Sequence, residues 1–166
     1  INNNKVFSLD TGETFDQKKH SIILLHGSGQ SHIVWSLTAQ YFSSENYNVL
    51  TLDLPGHGNS EGESLKTIED MASWLDKVVN HLKIQKHSIV GHSQGCLIAL
   101  EYANKFSKNL ENLIFVAGSY EIPVNKSLID LYANFSNSKL FLLGITKVIL
   151  SICYLPKYTI HYFEVY

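Results

Sequence analysis

Arginine is absent from this chain of 166 residues, so all 13 of its cationic side chains are lysine. Guanidinium forks are the usual readers of phosphate and guanine, and a net charge of −2 supplies no basic face in their place. Nucleic acid is therefore not an expected partner. Cysteine is scarce too. Cys96 and Cys153 cannot staple a small secreted domain. No charged stretch leads into a short apolar run with a small-residue cleavage site, so no signal peptide is visible and the chain reads as cytoplasmic. The eight histidines form no His-Glu-x-x-His, and no cysteine pair stands at ligand spacing, so a zinc site is not expected. Against 45% apolar residues, a charged share of 17% describes a globular chain rather than a disordered one, with length for one core.

What is present is an alternation of strand and helix signals. Val6 to Leu9, followed by a turn at 10–12, reads as a short hairpin or an edge strand. Ser21 to Leu25 and Val49 to Leu52 are apolar runs without polar alternation, as expected of strands covered on both faces. Ser88 to Val90 and Leu113 to Ala117 repeat that pattern. Between them, Ser31 to about Ser44 carries Val34, Leu37 and Tyr41 at helical spacing. Ile68, Met71, Ala72, Leu75, Val78, Val79 and Leu82 follow a Thr67-x-x-Asp70 capping signal at steps of three and four. Gly95 to Lys105 predicts a third helix with a small-residue stripe that includes Cys96. This order implies βαβ crossovers and a mainly parallel sheet with helices on both faces. After Pro123 the rhythm stops, and no further strand is expected beyond Ala117.

Three motifs follow three of the strands. Gly91-His92-Ser93-Gln94-Gly95 is a G-x-S-x-G between a strand and a helix. There a sharp turn holds the central serine in a strained conformation, with its hydroxyl above the sheet at the positive end of the helix. His26-Gly27-Ser28-Gly29 follows the first strand, where backbone N–H groups could face a developing oxyanion. Ser28 N–H and Gln94 N–H are the expected donors. The same loop does not complete a dinucleotide fingerprint, because His32 stands where the third glycine belongs, and no P-loop lysine follows. Asp53-Leu54-Pro55-Gly56-His57-Gly58-Asn59-Ser60 reads alone as a structural Pro/Gly turn.

Taken together and in this order, the three motifs resemble the α/β-hydrolase superfamily over about residues 20 to 120. The resemblance implies the α/β-hydrolase fold and a serine hydrolase of the esterase, lipase or thioesterase kind, working without metal or organic cofactor, with Ser93 as nucleophile and a small ester or thioester as substrate. His26, Gly27, Gly29, Asp53, Gly56, His57, Gly58, Gly91, His92 and Gly95 are then the structural members of the motifs. The family's acid and base come from loops after later strands. On this reading residues 1–122 are the first part of the core and 123–166 part of a cap, with the sheet incomplete and the triad acid and base absent. Glu121 reads as the start of the cap, and His161 as part of an aromatic tail without a strand. The apolar stretch from Leu140 to Pro156 reads as a cap helix, and membrane association is not expected. The competing reading is a non-catalytic binding protein on the same fold. Oligomeric state is not readable.

Overall fold

A computed structural model describes residues 1–118, apart from positions 2, 10 and 13, together with the backbone of residues 160–162. Its elements are β1 (Ser21–Leu25), a 3-10 turn (His32–Trp35), α1 (Ser36–Ser44), β2 (Asn48–Leu52), α2 (Ile68–His81), β3 (His87–His92), α3 (Gln94–Phe106), β4 (Leu110–Val116) and β5 (Ile160–Tyr162). The strands form one parallel sheet in the order β2-β1-β3-β4-β5. Every residue of β1 and β2 is buried, polar Ser21, Asn48 and Thr51 included, as their mainly apolar sequences suggest of strands covered on both sides.

Period-two alternation divides the core between the two faces. Ile23, Leu25, Leu50, Leu52, Ile89 and Leu113 pack with α2 and α3, whereas Ile22, Leu24, Val49 and Val90 pack with Trp35 and Ala39. Helix α2 lays Met71, Ala72, Leu75, Val78 and Val79 on the first face, with Trp74 beside them. Thr67 Oγ1 accepts the Asp70 N–H at 3.1 Å and donates to the Asp70 carboxylate at 2.8 Å. The capping box is thus half made. The shorter aspartate meets the cap hydroxyl rather than reaching back to its backbone N–H.

The structure decides one open alternative, in favour of an edge segment, and corrects three expectations in detail. Residues 6–9 make no hairpin; a single antiparallel bridge from Ser8 to Leu52, with the Ser8 and Thr51 hydroxyls bonding across, lays them along the edge of β2. The first helix opens with a 3-10 turn, in which the Val34 N–H donates to the Ser31 carbonyl at 3.3 Å, and the Asp53 carboxylate takes the His32 N–H that no helix could satisfy internally. Its apolar spacing marks the outer side: Leu37 is 82% exposed, while Trp35 and Ala39 are buried. A fifth strand exists beyond Ala117. Ile160–Tyr162 pairs with Leu113–Phe115, so His161 lies in a strand register opposite Ile114. Three β-prone residues are too few for periodicity to reveal. Glu121 and the 140–156 stretch lie outside the described residues. No helix among the described residues is long and apolar enough to cross a membrane.

Candidate functional site

The chain passes from β1 to β2 in one direction across the sheet, and then to β3 on the other side of β1. Loops leaving β1 and β3 therefore diverge at their carboxyl ends and leave a crevice there, the usual place for a ligand on such a sheet. The His26 loop and Ser93 occupy those two ends.

Ser93 joins β3 directly to α3, at φ 52° and ψ −114°. A side chain held in that region costs on the order of 1–3 kcal/mol, so the surroundings must impose it. They do so from both sides. The Ser93 N–H donates to the Val116 carbonyl at 3.1 Å, and its own carbonyl accepts the Cys96 N–H at 2.9 Å. Gly91 and Gly95 let the strand and helix close on one another. A Cβ on Gly91 would strike the Gly95 carbonyl, and one on Gly95 would strike the carbonyl of Leu25. Cys96 is buried beneath the turn, its thiol 3.1 Å from the Gly91 carbonyl, and burial pushes its pKa up to about 12. It is a packing residue, as its place in the small-residue stripe suggests.

The loop after β1 crosses close to Ser93. A Cβ placed on Gly27 would stand 3.1 Å from Ser93 Cβ and 3.0 Å from His92 Nδ1. His26 is fully buried and both of its ring nitrogens are engaged. Nε2 accepts the Leu54 N–H at 3.1 Å, so Nδ1 carries the proton and donates to the Gly27 carbonyl at 2.8 Å. Burial lowers its pKa, against the opposing pull of that carbonyl. This histidine ties the first loop to the second and has no free nitrogen for a proton relay. Ser28 and Gly29 stand exposed at the tip of the loop. The Gly27 N–H is taken by Gln30 Oε1 at 3.0 Å, and the Gln30 N–H by the Gly27 carbonyl at 3.2 Å. Among the described residues, Ser28 N–H and Gln94 N–H have no hydrogen-bond partner.

The third motif wraps a buried carboxylate. Asp53 is wholly inaccessible and accepts the His32 N–H at 2.6 Å, the His32 ring at 2.8 Å and the Asn59 N–H at 2.8 Å. Gly56 and Gly58 turn the chain at φ 74° and 51°, and the half-buried His57 places Nδ1 3.1 Å from the Pro55 carbonyl. The Asp53 motif thus acts as a brace for the end of the β1 loop. Sequence reasoning named Asp53 but missed its partner His32, and missed Gln30 altogether. Neither stands in a motif, and only the fold brings them to their partners.

The His92 ring bonds Gln30 Oε1 at 2.9 Å, and burial lowers its pKa. Among the described residues no histidine or carboxylate hydrogen-bonds Ser93 Oγ. Nor does any cluster of three or more His, Cys, Asp or Glu among them lie in position to hold a metal ion. Two cavities of about 740 and 450 Å³ open at the other end of the sheet, lined by residues that precede β1, β3 and β4, and have no part in the Ser93 crevice.

Known proteins resemble this chain in sequence and in fold. The chain is 31% identical over 108 residues to a probable lysophospholipase, BODYGUARD 4, of Arabidopsis thaliana, covering 63% of this chain and 26% of that protein. It is 34% identical over 107 residues to the pimeloyl-[acyl-carrier protein] methyl ester esterase of Proteus mirabilis, covering 64% and 40%. It therefore spans well under half the length of these relatives. A solved carboxylesterase structure from the thaumarchaeon Nitrososphaera gargenis matches 90% of this chain and 57% of its own, with a TM-score of 0.66 at 20% identity, a likeness of fold. A family model for the alpha/beta hydrolase fold matches residues 20–142. On sequence and on architecture alike, the chain belongs to the α/β-hydrolase fold family.

Proposed function

We propose that the protein hydrolyses carboxylic esters or thioesters, with Ser93 as the nucleophile. The observation that carries this reading is the backbone of Ser93, held at positive φ between the end of β3 and the start of α3. A serine with no catalytic task gains nothing from that strain, whereas a nucleophile gains projection above the sheet and the positive end of a helix beneath it.

In this mechanism Ser93 Oγ attacks the acyl carbon while its proton passes to a general base. The tetrahedral oxyanion is received by the Ser28 and Gln94 N–H groups, two amides near the turn with no hydrogen-bond partner among the described residues. Collapse expels the alcohol or thiol, which takes up the proton. Water then attacks the acyl-enzyme, releasing the carboxylic acid and restoring the hydroxyl. The general base and its carboxylate partner come from elsewhere in the protein on this reading, since no described histidine or carboxylate bonds Ser93 Oγ and His26 and His92 are committed to the loops. The esterase among the relatives supports an ester as substrate.

The test is hydrolysis of a short-chain aryl ester by the full-length protein that carries these residues, beside its Ser93→Ala variant. Turnover that falls by several orders of magnitude in the variant supports the reading, and turnover unaffected by the substitution refutes it.

A further inference from the structure

Gln30 links the two halves of the crevice with a single atom. Its Oε1 accepts the Gly27 N–H at 3.0 Å and lies 2.9 Å from His92 Nδ1. The backbone N–H can only donate, so the atom facing it is the amide oxygen and not the nitrogen. The same oxygen faces His92 Nδ1, which must therefore carry the ring proton. One carbonyl thus joins the residue after His26 on the β1 loop to the residue before Ser93 on the β3 turn. The loop is also braced 21 residues away in sequence, where His32 meets Asp53. The exposed tip, Ser28 and Gly29, lies between Gly27 and Gln30, the two ends of the first anchor.

We infer that Gln30 is a positioning residue, whose amide oxygen clamps the β1 loop to the Ser93 turn and so sets the separation of the Ser28 and Gln94 N–H groups. This rests on the ester-hydrolase reading above and extends it to a residue outside all three motifs. Oxyanion donors act by being in place before charge develops, and losing one outright costs about 100- to 1000-fold in turnover. Loosening one that is still present costs less. The loss falls on kcat, because the donors bind the tetrahedral state more strongly than the ground-state carbonyl.

The experiment uses the full-length protein and three forms of residue 30. Gln30→Leu removes the acceptor at similar volume. Gln30→Glu keeps an oxygen for both donors and adds a charge that favours protonated His92. The leucine form should lose about 10- to 100-fold in kcat for an aryl ester with KM within about twofold. The glutamate form should recover most of that loss, with an added ionisation in its pH profile from His92. Two readouts do not depend on turnover. Amide exchange at Gly27 should quicken at least tenfold in the leucine form and stay slow in the glutamate form, and nitrogen NMR should find the His92 proton on Nδ1.

Unchanged exchange at Gly27 in Gln30→Leu, or a proton on His92 Nε2, overturns the clamp. Ser93-dependent hydrolysis with an unchanged kcat in Gln30→Leu overturns the positioning role while leaving the ester-hydrolase reading intact. A wild-type protein without Ser93-dependent hydrolysis overturns both the ester-hydrolase reading and the positioning role. In that case Gly27 exchange and the His92 tautomer still decide whether the clamp exists.

Discussion

The Asp53 carboxylate and the His32 imidazole meet at 2.8 Å, with the Asp53 side chain fully shielded from water. The same carboxylate holds the backbone of the loops that follow β1 and β2, through the His32 and Asn59 N–H groups. Asp53→Ala leaves three donors unsatisfied and should cost about 3–5 kcal/mol of folding stability, with Asp53→Asn recovering part of it. Chemical denaturation of the three proteins measures this. A loss within about 0.5 kcal/mol for the alanine form would show that the carboxylate does not brace the loops.

His87 gives the fold a dependence on acid. It is fully buried at the start of β3, neither ring nitrogen has a hydrogen-bond partner among the described residues, and the Tyr102 ring lies edge-on at 5.6 Å. Burial lowers its pKa to about 4, helped by the neighbouring His20 and opposed by Glu111. The unfolded chain takes up this proton near pH 6.5 and the folded one resists until about pH 4. Stability from this group is complete above pH 6.5, falls as the pH drops toward 4, and changes no further below that. The full span is about 3 kcal/mol. His87→Leu should flatten this part of the stability curve, as denaturation midpoints between pH 4 and 7 will show. An unaltered slope would mean that another group carries the acid sensitivity.

Cys96 should be inert while the protein is folded. Burial holds its thiol near a pKa of about 12, and the Gly91 carbonyl accepts its proton. Alkylation at pH 8, followed by peptide mapping to separate it from Cys153, should label Cys96 only in denaturant. Labelling at the rate of a free thiol in the native protein would contradict its placement under the Ser93 turn.

Thr67 caps α2 through its hydroxyl, and Thr67→Ala should cost about 1 kcal/mol. Restoring a longer acid with Asp70→Glu should complete the reciprocal bond and add stability. Thermal melts of the two variants moving in opposite directions would bear this out, and a neutral alanine form would refute it.

The sheet was readable because its strands carry their burial in their composition. Ser21–Leu25 and Asn48–Leu52 are mostly apolar, with no alternation of polar and apolar positions, and every residue of both is buried. The glycines around Ser93 were readable as well, since few other sequences close so tight a strand-to-helix turn. The orientation of α1 was hidden. Val34, Leu37 and Tyr41 share one helical face, and Trp35, Ala39 and Phe42 another, so spacing alone does not choose between them. The small Ala39, completely buried, lets the helix sit close on β1 and β2, and that contact decides which face turns inward. Gln30 and His32 were hidden for another reason. Their partners stand 62 and 21 residues away, and a polar side chain in a loop carries no mark of the donor it will meet.

The account turns on the claim that Ser93 is a nucleophile in a strained turn. Reaction of the full-length protein with a fluorophosphonate, followed by mass-spectrometric mapping, tests it most directly. The expected result is one phosphonyl adduct on Ser93 Oγ, formed with loss of fluoride and abolished in Ser93→Ala. An unlabelled Ser93 in folded protein, or equal labelling of other serines, would contradict the account.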